Sequence, residues 1–184
     1  MSEPRPPKPA RPFANFFYTD EAALAKAIDL LDGRLGPRCF TSEPEPFEIS
    51  RYYEPEMGPG IMRRFAAWEL MVDPAELVDI KLATWDMEQK LSADKPGRKV
   101  NIDPGLISEG HVLLATGKPV PHRPYMGRGV YVDLTLIYFK GSYKPLEWTY
   151  PDYAGDDIIE MMNSLRKKYM ADLKKIHNDD GSGI

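Results

Sequence analysis

Residues 61–105 read IMRRFAAWELMVDPAELVDIKLATWDMEQKLSADKPGRKVNIDPG, and the fold turns on how this stretch divides. In residues 61–72, Ile61, Arg63, Phe65, Ala67 and Glu69 share one parity, and Met62, Arg64, Ala66, Trp68 and Leu70 share the other. Two-residue alternation of this kind is the period of a strand. Asp73 then offers an N-cap, Pro74 suits the first helical position, and Glu76 completes a capping box. Leu77, Ile80, Thr84 and Leu91 mark the inner side of the helix that follows, with Trp85 adjoining. SADKPGR reads as a turn. KVNIDPG reads as a short strand carrying Asn101 and Asp103 on one face and Val100 and Ile102 on the other, with Pro104-Gly105 turning the chain sharply.

The same unit can be read upstream. FANFFY (13–18) is aromatic and short, as a first strand would be. TDEAALAKAIDLLDGRLG has Thr19 or Asp20 to cap it, Leu24, Ile28, Leu31 and Leu35 at helical spacing, and Gly36-Pro37 to stop it. Residues 39–53 read as an extended arm at a sheet edge, interrupted by Pro44 and Pro46. The order strand, helix, strand, strand, helix, strand is the split βαβ arrangement. The expected fold is therefore α+β: a ferredoxin-like βαββαβ core extended by additional antiparallel strands and a C-terminal helix. The extra strands are GHVLLAT, GVYVDLTLIYF and, after a Gly141-Ser142 turn, YKPLEW. Three main helices are expected near 20–35, 74–92 and 156–175. The last has Ile158, Met162, Leu165 and Tyr169 on one stripe. Residues 1–12, with prolines at 4, 6, 7, 9 and 12, read as a flexible arm; 13–176 read as a single domain and 177–184 as a frayed tail.

The whole chain narrows the function. A length of 184 residues suits one domain with a full core. The formal net charge of −4 argues against general nucleic-acid or membrane affinity. The single cysteine, Cys39, excludes an internal disulfide framework and fits a reducing cytoplasm. The proline-rich start has no apolar leader core, and no apolar run approaches the roughly 20 residues a membrane span requires. Charge is uneven, however. Residues 95–144 carry a formal +5, which leaves −9 for the rest, and Glu43, Glu45, Glu48, Glu54 and Glu56 supply part of that. A basic region within an acidic chain points to a localised anionic ligand or a docking surface, or to scattered solvated lysines.

NIDPG, GRGVYVDLTLIY and EWTYPDY, together with RRFAAWE, DPAELVDIKLAT and MNSLRKKY, resemble the prokaryotic family called domain of unknown function 4416. The likeness covers about residues 13–170. Leu106 stands where the family usually has an aromatic after DPG, and Pro124 where an aliphatic is common after the His-Arg pair. The resemblance implies a prokaryotic, cytoplasmic protein and no particular reaction.

Five groups of residues carry candidate chemistry. Asp103, with Asn101 beside it, suits a Mg²⁺ ligand, a base or a partner for a ligand hydroxyl; alternatively it caps its own turn. His122, Arg123 and Arg128 lie in a loop with Gly127 and Gly129, and paired arginines suit bidentate phosphate or carboxylate. The alternative is a solvated hairpin loop paired with the acidic 43–56 arm. Asp133, mid-strand among apolar neighbours, requires a partner or a role, and Arg64, Arg123 and Arg128 are the partners to hand. Lys81, Trp85 and Glu88 share one helix face and read as a surface group. Trp148, Tyr150 and Tyr153 either stack a ring or pin the last helix. The phosphate-loop, dinucleotide and nucleophile-elbow motifs are absent from the sequence, and three scattered histidines with one cysteine do not suggest zinc.

Two functions follow. In one, a cleft of Asp, Arg and His binds a phosphorylated small molecule or nucleotide, with Mg²⁺ as the candidate cofactor. Arg64, Asn101, Arg123 and Arg128 would bind, and Asp103, His122 and Asp133 would do any chemistry. In the other, the sheet is a non-catalytic module docking a protein or RNA.

Overall fold

The computed structural model describes residues 3–92 and 97–180. Its elements are β1 (Arg11–Tyr18), α1 (Glu21–Leu35), β2 (Arg38–Thr41), β3 (Glu45–Pro46), the single-turn α2 (Glu54–Met57), β4 (Met62–Trp68), a 3-10 turn at Pro74–Glu76 leading into α3 (Leu77–Ser92), β5 (Val100–Ile107), β6 (His111–Thr116), β7 (Tyr125–Gly127), β8 (Val130–Phe139), β9 (Ser142–Pro145) and α4 (Asp156–Asp180). The protein is α+β. Nine antiparallel strands form one sheet in the order β2-β4-β1-β5-β6-β8-β7, with β3 beside β4 and β9 beside β8.

The local signals work as their chemistry requires. Asp20 caps α1 by accepting from the Ala23 amide, and Gly36 ends that helix at φ 78°. Asp73 and Glu76 form the reciprocal capping box at the entry to α3. Arg128-Gly129 and Lys140-Gly141 both have positive φ. They form the two-residue turns that join β7 to β8 and β8 to β9, which is the twist such hairpins need.

Alternation along the strands sorts the core. Ala14, Phe16 and Tyr18 of β1, Ala66 and Trp68 of β4, and Val100, Ile102 and Leu106 of β5 face α1 and α3. Phe13, Phe65, Ile107, Val112 and Leu114 face the other way, against Ile158, Met162 and Leu165 of α4. A smaller cluster of Phe17, Phe47, Met57 and Ile61, with Tyr53 against it, continues this second face beyond the reach of α4.

Two expectations from the sequence are corrected. Pro104-Gly105 is not a turn: β5 runs straight through it, pairing Pro104 with Ala14 and Gly105 with Phe13. Gly105 is required there because a Cβ would stand 2.3 Å from the Leu113 carbonyl oxygen and 2.5 Å from the Phe13 ring. Two short strands, β3 and β7, lie in stretches read as arm and loop. Arg11 is buried in β1 with its guanidinium on Asp172, and α4 continues to Asp180. The tip of the SADKPGR turn, 93–96, and residues 181–184 of the expected tail lie outside the described residues.

Candidate functional site: a cleft where the sheet divides

β5 and β6 pair only over Gly105–Ile107 and Val112–Leu114. Toward Val100 the two strands separate, and the open edge of β5 faces α3. There, Glu88 Oε1 accepts from the Ile102 amide at 2.6 Å, and Lys81 Nζ donates to the Ile102 carbonyl at 3.2 Å. Two helix side chains thus replace the missing strand partner. Alternation points Pro104 to the same open edge, where its lack of an N–H leaves no donor unpaired. Lys81 and Glu88 are therefore not a surface group. Glu88 is buried, and burial pushes its carboxyl up to about 7, against the opposing pull of Lys81, the Ile102 amide and Arg98.

The division opens a cavity of about 1010 Å³. Six of the seven residues expected at a site line it: Asn101, Asp103, His122, Arg123, Arg128 and Asp133. Arg64 does not. Strand alternation turns it to the opposite face of the sheet from Arg63, and its Nε donates to the Ser42 carbonyl at 2.8 Å. Arg63 has the cleft-side parity; it is buried between Glu45 and Asp152.

Asp103, projecting from β5, accepts a long 3.4 Å hydrogen bond from the Tyr53 hydroxyl and lies 3.8 Å from Lys81 Nζ. It has no turn to cap. Burial raises the Tyr53 phenol, with the Asp103 charge adding to the effect. Asn101 is buried beside Arg98. Arg98 also meets Glu88 at 3.2 Å and grips both oxygens of Glu56 at 3.0 Å, tying the floor of the cleft to α2. Across the cleft, Asp133 is only 1% exposed. Its partner is Arg123, with Nε on Oδ2 at 2.8 Å. Thr135 donates to Oδ1, and His122 Nε2 stands 3.4 Å from Oδ2. Arg123 also donates to the Tyr150 hydroxyl at 2.6 Å and to the Lys118 carbonyl. Arg128 pairs with Asp79 on the exposed rim, not with Asp133.

Sequence reasoning missed Lys81, Arg98, Lys118 and Tyr53 as cleft residues. Each sits far along the chain from NIDPG or was read as surface or loop. The aromatic EWTYPDY segment divides between core and cleft. Tyr153 is buried against the core below α4, while Trp148 and Tyr150 line the cleft. Among the described residues, no three His, Cys, Asp or Glu side chains are placed to share a metal ion. Among the same residues, no helix is long and apolar enough to cross a membrane.

Fold and cleft together define a mixed α+β protein whose sheet opens at one end into a ligand-sized, aromatic and charged cavity. The chain belongs to the family Domain of unknown function (DUF4416), whose model matches residues 8–169. No curated protein and no solved structure matches it.

Proposed function

We propose that the cleft binds a phosphorylated small molecule. The observation that carries the reading is the set of basic side chains on the connection between β6 and β8: Lys118, His122, Arg123 and Arg128 all line a single cavity opposite Asp103. Arg123 is held in a fixed pose by Asp133 and Tyr150, and a preorganised guanidinium suits phosphate oxygens. The volume lies at the upper end of the roughly 300–1,000 Å³ typical of small-molecule sites. In this reading Asp133 positions Arg123 and His122 rather than taking part in chemistry. Asp103 is the carboxylate with room for a ligand hydroxyl. It is also the residue to which Mg²⁺ would bind, its shell completed by phosphate oxygens and water.

The order β2-β4-β1-β5, with α1 and α3 on one face, supports a ferredoxin-like core to which β6–β9 and α4 are added. The single cysteine and the family resemblance support a cytoplasmic, prokaryotic setting.

The test is a thermal-shift panel of nucleotides and sugar phosphates, with and without Mg²⁺, on wild type and Arg128→Ala. Ligand that binds only the folded state should stabilise it, by about 2.7 kcal/mol at a hundredfold excess over Kd. A wild-type protein indifferent to the whole panel would sink the proposal. It would favour instead a docking module for protein or RNA, a reading that draws on exposed Ile49, Tyr52 and Trp85 around the rim.

A further inference from the structure

We infer that the ligand is a nucleoside phosphate, its planar base stacked on Trp148 and its ribose hydroxyls on Asp103. This rests on the phosphate-binding reading above and specifies the rest of the molecule.

Most charged groups of the cleft already have partners. Arg98 is taken by Glu56 and Glu88, Arg123 by Asp133 and Arg128 by Asp79, although the five N–H groups of a guanidinium leave Arg123 and Arg128 donors to share with a phosphate. Asp152 faces buried Arg63. Three kinds of group remain open to a ligand. Lys118 has no acidic partner among the described residues; its ammonium lies 3.9 Å over the Tyr52 ring, an exposed contact that an anion can replace. Asp103 has only its long contacts to Tyr53 and Lys81, and its side chain is 28% exposed.

The third is Trp148. Its indole N–H donates to the Leu134 carbonyl at 2.9 Å, and its ring is backed by His122 at 5.4 Å and 15°. The indole is thus fixed on two sides yet remains 39% exposed at the cleft wall. A ring held in place beforehand loses little freedom when a second ring stacks on it. A carboxylate only accepts, so Asp103 calls for donors, and a pair of vicinal hydroxyls supplies two. Inorganic phosphate would satisfy only the basic side chains, Lys118 with Arg123 and Arg128, and a sugar phosphate would satisfy these and Asp103. A nucleoside phosphate satisfies all three, and the cavity has room for one.

The experiment titrates the full chain with adenosine, guanosine, cytidine and uridine monophosphates, their 2′,3′-dideoxy forms, ribose 5-phosphate and inorganic phosphate. Binding is read by calorimetry and by tryptophan fluorescence. Of the three tryptophans, Trp68 is buried while Trp85 and Trp148 line the cleft. At least one nucleotide should bind about tenfold or more tighter than ribose 5-phosphate and quench the fluorescence, as expected for base stacking on an aromatic ring. Trp148→Leu should erase that advantage and weaken ribose 5-phosphate far less than the nucleotide; Trp148→Phe should keep part of it. Asp103→Asn should narrow the gap between ribo- and dideoxynucleotides. If wild type binds ribose 5-phosphate as tightly as every nucleotide, the nucleoside assignment falls and the phosphate site stands. Failure of every phosphate compound to bind would remove both. The wild-type comparison decides even if a variant does not fold.

Discussion

The two faces of the sheet are built from the same strands but are covered differently. Under α1 and α3 the filling is mainly apolar, from Leu31 and Trp68 to Ile80 and Val132, with Thr84 and Glu88 of α3 buried beside it. On the other face α4 covers only part of the sheet. The remainder holds buried Asn15, Arg63, Asn101, Arg123, Asp133 and Asp152. One face is built for cohesion. The other retains polar groups whose burial is costly unless each finds a partner, and that is where the cleft lies.

Substitutions can break or sharpen this contrast. The largest effect should come from Arg123→Ala, which strands the Asp133 carboxylate in the interior and should cost about 3–5 kcal/mol in a urea melt. Adding Asp133→Asn to that variant should recover a good part, because the orphaned charge is gone. On the cohesive face, Leu31→Ala should cost about 2–5 kcal/mol by leaving a cavity. It should leave any ligand-induced thermal shift intact, so stability and binding would separate by face.

Next comes a pH effect. Glu88 titrates near 4.5 unfolded and at about 7 folded, so the folded chain holds its proton to higher pH. Its contribution is therefore fully present below about 4.5 and is lost as pH rises through about 7. The span is on the order of 3 kcal/mol. Glu88→Gln should flatten that part of the stability profile; an unchanged profile would show that Glu88 is ionised throughout. Smallest is Arg128→Ala. Its exposed pair with Asp79 should be worth within about 0.5 kcal/mol of stability, yet the thermal shift with phosphate compounds should disappear.

How much of this could be read beforehand depended on the range of the interaction. The caps of α1 and α3 are contacts between residues three or fewer apart, so their chemistry was legible. The lining of one cleft by Asn101, Asp103 and the 122–133 segment was also legible, because β5, β6 and β8 follow one another across the sheet as consecutive antiparallel strands do. Arg64 was expected in the cleft, but only alternation relative to a known inner face separates it from Arg63. Proline and glycine suggested a turn at 104–105 because that is their usual service. The reasons they stand in a strand, an open edge and the Phe13 ring, come from partners far away in sequence. Glu88 gave no signal at all: on a helix rich in charge, nothing local distinguishes a buried carboxylate from a solvated one.

The parting of β5 from β6 has a consequence for self-association. An exposed strand edge is a template on which another chain can add itself, and proteins protect such edges in various ways. Here the protection comes from inside the molecule. The Ile102 amide and carbonyl are already occupied by Glu88 and Lys81, and Pro104 offers no donor. An incoming strand would find no ladder to extend. At this gap the sheet can therefore stand open for a small guest without offering that edge to a second chain.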